Sequence, residues 1–393
     1  MILQNARIYT MESKTGLIPD GYILIRGGKI AAVGGMAGLS EDAYPGERRV
    51  DLAGRSVIPG MIDAHCHVGM WEDGMGFEGD DGNEDTDPAL PQLRAIDAVN
   101  PLDRCFAEAL SAGITCVVTG PGSANPIGGQ LAALKTYGRR VEKMLLKSPL
   151  AMKMALGENP KTVYHGRNVS PVTRMGTASI IREQLFKATR YARDIERAMR
   201  DEDEDEPDYD ARHEALLPVI RGELPVHFHA HRADDIHTAM RIAAEFSLKY
   251  VIVHGTEAHL IADELKAENV PVLCGPALCD RSKPELRNLS FAAPGILSAM
   301  GLRVAIVTDH PVTPVQYLPL CAALAAREGM DVMEALRAVT INPAALCGID
   351  DRVGSIAPGK DADLAVFDGE PLGFYSACTD VFVDGVRVAG KPM

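Results

Sequence analysis

The sequence predicts an α/β protein: a (β/α)8 TIM barrel carrying a small β-sandwich domain formed by both ends of the chain. Three observations carry this expectation. The ends read as short antiparallel strands, the middle holds eight separate apolar strand-like runs, and stretches with helical periodicity lie between those runs. At 393 residues the chain exceeds a usual single-domain length, which suits one large barrel or two domains.

At the N-terminal end, "ILQNARIYT" and "GYILIRGGKIAAVG" alternate apolar and polar residues about a Gly27–Gly28 turn. "DADLAVFDG" and "DVFVDGVRVAG" near the other end have the same character. Residues 1–56 and 350–393 are therefore assigned to one β domain, interrupted by a barrel over 57–349. The barrel runs lie near 57–63, 114–119, 129–136, 149–157, 224–231, 249–254, 270–275 and 302–308. The third, "QLAALKTYG", can equally begin a helix. Residues 159–222 are too long for one plain connection and form an expected insert. It holds the helical pattern "ASIIREQLFKATRYARDIERAMR" and an acidic run over 201–210, expected as a mobile loop or lid edge.

Composition narrows the function classes. Hydrophobic residues make up 46% of the chain and are spread evenly, with no run of membrane-spanning length and no basic-then-apolar leader, so a soluble, cytoplasmic protein is expected. A net charge of −14 argues against a nucleic-acid surface, because a phosphate backbone would be repelled. Eight cysteines without a CxxC pair suit reduced thiols better than disulfides or a cysteine zinc site.

The chemistry centres on "MIDAHCHVGM". In a strand, residues two apart face one side, so His65 and His67 can present two imidazoles to one divalent ion. Other polar groups also end apolar runs: His229 in "VHFHAH", His254 in "YVIVHGT" and Asp309 in "VAIVTDHP". In a barrel all of these would gather at one rim. His227, His229 and His231 share a face, so spacing does not choose among them. Glu158, at the end of "PLAMKMALGENP", is the preferred bridging or terminal metal ligand. Lys153 is the alternative, since a buried strand lysine can become a carbamate and bridge two ions, but it sits mid-strand, short of the rim. Asp309 is the candidate general base. Arg174 and Arg232 could grip a substrate carboxylate, and His165 and His310 could line the pocket. The "GPGSANPIGGQ" stretch is unconvincing as a phosphate loop.

These motifs resemble the amidohydrolase superfamily, and within it imidazolonepropionase-like metal-dependent hydrolases, over nearly the whole chain. "GRSVIPGMIDAHCH" is similar to the family's first strand, "GLRVAIVTDHP" to its eighth, and "AVTINPAALCGIDDRVGSIAPGKDADLAVFDG" to the segment leading back to the terminal β domain. The resemblance implies His65, His67, His229 and His254 as metal ligands, with His229 favoured over His231, and Asp309 as base. Glu158 and the long insert depart from imidazolonepropionase proper and point to a two-metal site. The expected activity is hydrolysis of an amide or cyclic amide C–N bond in a small, carboxylate-bearing substrate. A deaminase of an amino-heterocycle and a catalytically silent metal-binding barrel are the alternatives. The expected cofactor is a divalent metal, zinc foremost, as one or two ions. A homo-oligomer is also expected, with no nucleic-acid or membrane partner.

Overall fold

The computed structural model describes residues 1–12, 16–40, 42–201 and 203–390. Each expected apolar run contains a strand, and together they build a TIM-barrel-like α/β fold: Met61–Cys66, Ile114–Thr119, the broken pair Ile127–Gln130 and Ala132–Lys135, Met152–Ala155, Val226–Ala230, Tyr250–His254, Val272–Cys274 and Val304–Ile306. Neighbours from the fourth to the eighth strand pair in parallel, as do the first and second. Backbone bonds tie the ends of the first and eighth strands, Asp309 N to His65 O at 3.1 Å and His67 N to His310 O at 2.9 Å.

Strand alternation partitions the core. Val251, Val253, Leu273, Ala305 and Val307 pack together on one side of the sheet. Ile252, Val272 and Val304 join a second cluster with helix residues such as Ile236 and Leu265. Period-two burial on both faces is the pattern of a helix-covered parallel sheet.

The third strand departs from a regular (β/α)8 barrel. It is a strand, not a helix start, but it runs antiparallel to both the second and the fourth. The reason is connection length: only residues 120–126 separate it from the second strand, too few for the crossover that parallel pairing needs. Near the mouth, its edge on the strand-two side is taken by residues 88–94. Ala89 pairs with Ile127 and Arg94 with Gln130, and Leu90 N donates to Ile127 O at 2.9 Å.

Both chain ends share one eight-stranded sheet. Ile2–Tyr9 pairs antiparallel with Leu17–Arg26 and parallel with Ser56–Pro59, which in turn pairs with C-terminal Leu364–Phe367. The first expected barrel run therefore divides at Gly60, residues before it joining the terminal sheet and residues after it the barrel. A Cβ at Gly60 would lie 2.0 Å from Thr115 Oγ1, so only glycine fits where the chain passes between the two layers.

A buried charge cluster also joins these layers. Lys135, from the third barrel strand, places Nζ 2.8 Å from Asp361, 3.1 Å from Asp363 and 2.5 Å from Asp384. Lys29 and Arg352 also pair with Asp361.

The expected insert is largely helical: Glu158–Gly166, Arg174–Ala198 and Ala211–Ile220. Ala178, Ile181, Leu185 and Ala188 recur at helical spacing and are buried against the barrel. Thr173 caps the long helix by accepting from Gly176 N. The described residues of the acidic run follow its C-terminal end. Its far end returns toward the barrel: Asp210 caps Ala211–Ile220 by accepting from Arg212 N and His213 N, and Arg212 pairs with Asp87 at 2.9 Å.

Candidate active site

His65 and His67 flank Cys66, whose side chain packs with Ile114 and Val117, so the two imidazoles face the opposite side. His67 Nδ1 lies 2.7 Å from the carbonyl of Gly120, and His254 Nδ1 lies 2.7 Å from that of Gly275. A carbonyl only accepts, so each Nδ1 carries a proton, and in a neutral ring this leaves Nε2 as a lone-pair donor. His254 would face the helices with Ile252 if the strand stayed regular. Its backbone instead turns left-handed (φ 77°), placing the ring among the other histidines, 4.4 Å from His229 and 5.2 Å from His65. Asp309 is also left-handed (φ 55°). Such strain is tolerated where surrounding structure fixes the group for a task.

Asp309 Oδ1 sits 3.3 Å from Nε2 of both His65 and His67. Burial alone would raise its carboxyl, but the surrounding His254, His65 and His67 outweigh that and hold it well below the usual range. Burial holds the rings of His65, His231 and His254 well below an ordinary histidine and lowers His229 to about 4, so these rings are neutral. Lone-pair nitrogen facing carboxylate oxygen is an arrangement of two acceptors, and it calls for a cation between them. His229 adds two buried ring nitrogens with no hydrogen-bond partner. Two groups could each offer ligand atoms within 4.8 Å of one another: His65, His254 and Asp309; and His229, His231 and His254. The donor set fits a divalent metal.

Lys153 is fully buried, with Nζ 3.2 Å from His65 Nε2. Among the described residues it has no carboxylate within ion-pair distance, and burial lowers its amine to about 8. Glu158 lies higher, at the start of the next helix. It lines the mouth, and its carboxylate accepts from Glu285 N at 3.4 Å instead of joining either ligand group. The mid-strand position that made Lys153 the lesser candidate is where the histidines converge.

Sequence reasoning missed two groups, Glu285 and Asp63. Glu285 is 1% exposed, with Oε1 3.6 Å from His231, 3.9 Å from His229 and 2.8 Å from Lys283. Burial would raise its carboxyl, yet His229 and His231 hold it far below the ordinary range. Its "SKPELR" segment lies between strands, where no apolar run marks it. Asp63 is buried beneath the His65–Asp309 contact and accepts from the Thr308 hydroxyl and from His65 N at 3.2 Å; burial raises it to about 7. His231 stacks on His254 at 4.3 Å and hydrogen-bonds Thr256.

The two arginines expected to grip a carboxylate are paired with aspartates. Arg174 is held by both oxygens of Asp235 at 2.9 and 3.1 Å, and Arg232 by Asp234 at 2.9 Å. Both line a side cleft together with His165, which adjoins the mouth at Glu158 and Thr162. His310 is 3% exposed and accepts from Val315 N, a structural use. The mouth itself is a cleft of about 680 Å³, with His67, His229 and Asp309 on its floor and Trp71, Glu72, Asp73, Glu158 and Lys283 among its walls.

Residues 56–392 match the amidohydrolase family. The chain is 32% identical to amidohydrolase tasK of Hapsidospora irregularis, covering all of this chain but 43% of that protein, so it spans less than half that relative's length. It is 29% identical to an imidazolonepropionase of Cereibacter sphaeroides, covering 94% of each. A solved amidohydrolase from Thermotoga maritima MSB8 superposes with a TM-score of 0.94 at 42% identity, over 99% of this chain and 100% of that one. Among the described residues no helix is long and apolar enough to cross a membrane. The chain belongs to the amidohydrolase family, hydrolases that act on carbon–nitrogen bonds.

Proposed function

We propose that this protein is a metal-dependent hydrolase of an amide or cyclic amide bond in a small molecule, with barrel residues 57–349 as the catalytic unit. His65, His67, His229 and His254 would hold divalent metal, zinc foremost, with Asp309 beside it. The observation that carries the reading is the pair of 3.3 Å contacts between Asp309 Oδ1 and two Nε2 atoms whose rings are proton-bearing at Nδ1 in His67 and neutral in His65. The metal would supply a water of lowered pKa and polarise the scissile carbonyl.

The chain's own groups supply the rest. Asp309, ionised by its histidine neighbours, takes a proton at its carboxylate and returns it to the departing nitrogen. The carbonyls of Gly120 and Gly275 fix the His67 and His254 rings, so the ligand atoms are oriented before substrate arrives. Glu285 orients His229 and His231 from behind.

Lys153 serves better than Glu158 as the bridge between two ions. A fully buried ammonium without a counter-carboxylate is costly, whereas the neutral amine adding to CO2 forms an N–C bond, releases one proton and becomes a carbamate that meets the metals as an anion. The test is elemental analysis of protein purified without chelator, together with hydrolysis of an N-acyl amino acid and lactam panel by wild type and Asp309→Asn. Metal with turnover in wild type, and metal without turnover in the variant, is expected. Metal-free wild type with turnover would overturn the reading.

A further inference from the structure

The mouth is electrically one-sided. Between Glu72 and Asp87 the chain carries eight carboxylates, and from His67 to Leu93 it has no lysine or arginine. This segment joins the first barrel strand to the helix Arg104–Ser111 and forms one wall of the cleft above the histidines. Two of its acids, Glu72 and Asp73, line the cleft directly, and neither is neutralised at close range. Glu72 accepts only from the uncharged Asn100 amide at 2.8 Å, and the nearest cation to Asp73 is exposed Arg104 at 4.0 Å. Trp71 supplies an aromatic face beside them, its ring 4.5 Å from His67.

The one cation on the cleft walls is already committed. Lys283 Nζ lies 2.8 Å from buried Glu285 and 2.9 Å from the side-chain oxygen of Asn159. Glu158 adds a further carboxylate on that side. Both expected arginines are tied to aspartates in the neighbouring cleft, so among the described residues lining the mouth no side-chain cation is left to neutralise a substrate anion. His229, buried on the cleft floor with both ring nitrogens unpartnered, marks where the acid-lined space meets the reacting centre.

We propose that the substrate carries a cationic group, an ammonium or guanidinium, which Glu72 and Asp73 hold against Trp71 while its C–N bond lies over the histidines. This deepens the hydrolase reading and rests on it for the identity of the reacting bond. A carboxylate pair on a partly enclosed wall attracts a cation more strongly than in bulk water, and an indole face adds a cation–π contribution. Asp85 and Asp87 of this segment are paired with Arg167 at 2.5 Å and Arg212 at 2.9 Å; the field of the remaining acids also concentrates cations at the mouth, an effect that weakens with salt. Glu72 and Asp73 thus act as specificity residues, not as members of the catalytic group.

The test uses matched probes on the protein as purified with its metal. Calorimetric binding of butylguanidinium is compared with butylurea, which has the same shape without the charge. In parallel, hydrolysis of Nα-acetyl-arginine is compared with Nα-acetyl-citrulline. The cationic member is expected to be favoured by about tenfold or more, and the preference should shrink several-fold between 0.05 and 0.5 M salt. Glu72→Gln and Asp73→Asn should each reduce the preference, read as the ratio of kcat/KM for the arginine and citrulline compounds. Asp73 is exposed and its variant is expected to fold even if Glu72→Gln does not. Equal binding of the two butyl probes would overturn the proposal, and hydrolysis without charge preference would do the same while leaving the hydrolase reading intact. Selective butylguanidinium binding without hydrolysis of any amide would support the cation site and count against the hydrolase reading alone.

Discussion

Replacing Lys135 with methionine isolates the charge cluster that joins the barrel to the terminal sheet. Three carboxylates surround Nζ, and they do not share the loss equally. Asp384 is about half exposed, so water compensates it. Asp361 is buried but keeps Lys29 and Arg352. Asp363 is buried and, among the described residues, has no other cation; its remaining support is Asp384 N at 2.8 Å. Removing one partner of a buried pair costs about 3–5 kcal/mol. The unfolding entropy of about 2.1 cal/mol/K per residue gives this 393-residue chain roughly 0.8 kcal/mol/K. A loss near 4 kcal/mol then lowers Tm by about 5 °C.

The pH dependence has a definite sign. Burial raises the Asp363 carboxyl to about 6, above the unfolded value near 4, even with Lys135 present. The folded state therefore binds this proton more tightly, so its contribution is favourable below pH 4 and is lost as pH rises through 6. Without Lys135 the folded value rises further, making the variant's deficit larger at pH 8 than at pH 5. Scanning calorimetry at both pH values, with Lys135→Met/Asp363→Asn alongside, checks this. The double variant should recover much of the stability. A single variant melting within 1 °C of wild type at pH 8 would refute the reasoning.

Three other outcomes bear on the site and the fold. Elemental analysis should find two ions per chain in wild type and one or none in Lys153→Ala, with Glu158→Gln unchanged; the reverse pattern would return the bridge to Glu158. Asp309→Asn should retain metal and lose about 10²–10⁴-fold in kcat, the usual range for a positioned acid–base group, and a near-normal rate would remove Asp309 from the chemistry. Gly60→Ala should destabilise the protein by about 1–3 kcal/mol in chemical unfolding, because its methyl would overlap the buried Thr115 side chain; unchanged stability would mean that the two layers separate easily.

Much of the site was legible because barrel chemistry concentrates at strand ends. His65, His67, His229, His254 and Asp309 all terminate apolar runs; His254 belongs with His65 and Asp309 to one group of possible ligands and with His229 and His231 to another, and His67 lies 3.3 Å from Asp309. Depth was not legible. Lys153 and Glu158 occupy one run, and rim position favoured the glutamate, whereas the histidines meet level with the lysine. Strand direction was hidden as well, since "IGGQLAALK" has the same apolar character whichever way it runs, and only the short preceding connection sets it. Arg174 and Arg232 pair with Asp235 and Asp234, acids that lie beside Arg232 in sequence, the local pairing that is the alternative to a substrate role. Glu285 sits in a connection whose pattern resembles ordinary surface sequence.

The reversed third strand has a consequence for how this enzyme can diverge. Because residues 88–94 hydrogen-bond into the barrel wall, the acid-rich segment is stitched in at its base and is not a flap resting on top. Its exposed tip, around Met75 and Phe77, makes few such commitments. Lengthening, shortening or recharging that tip would alter what approaches the histidines without moving them. The protein thus separates a fixed hearth from a replaceable chimney, and new substrate preferences can arise by exchanging the latter.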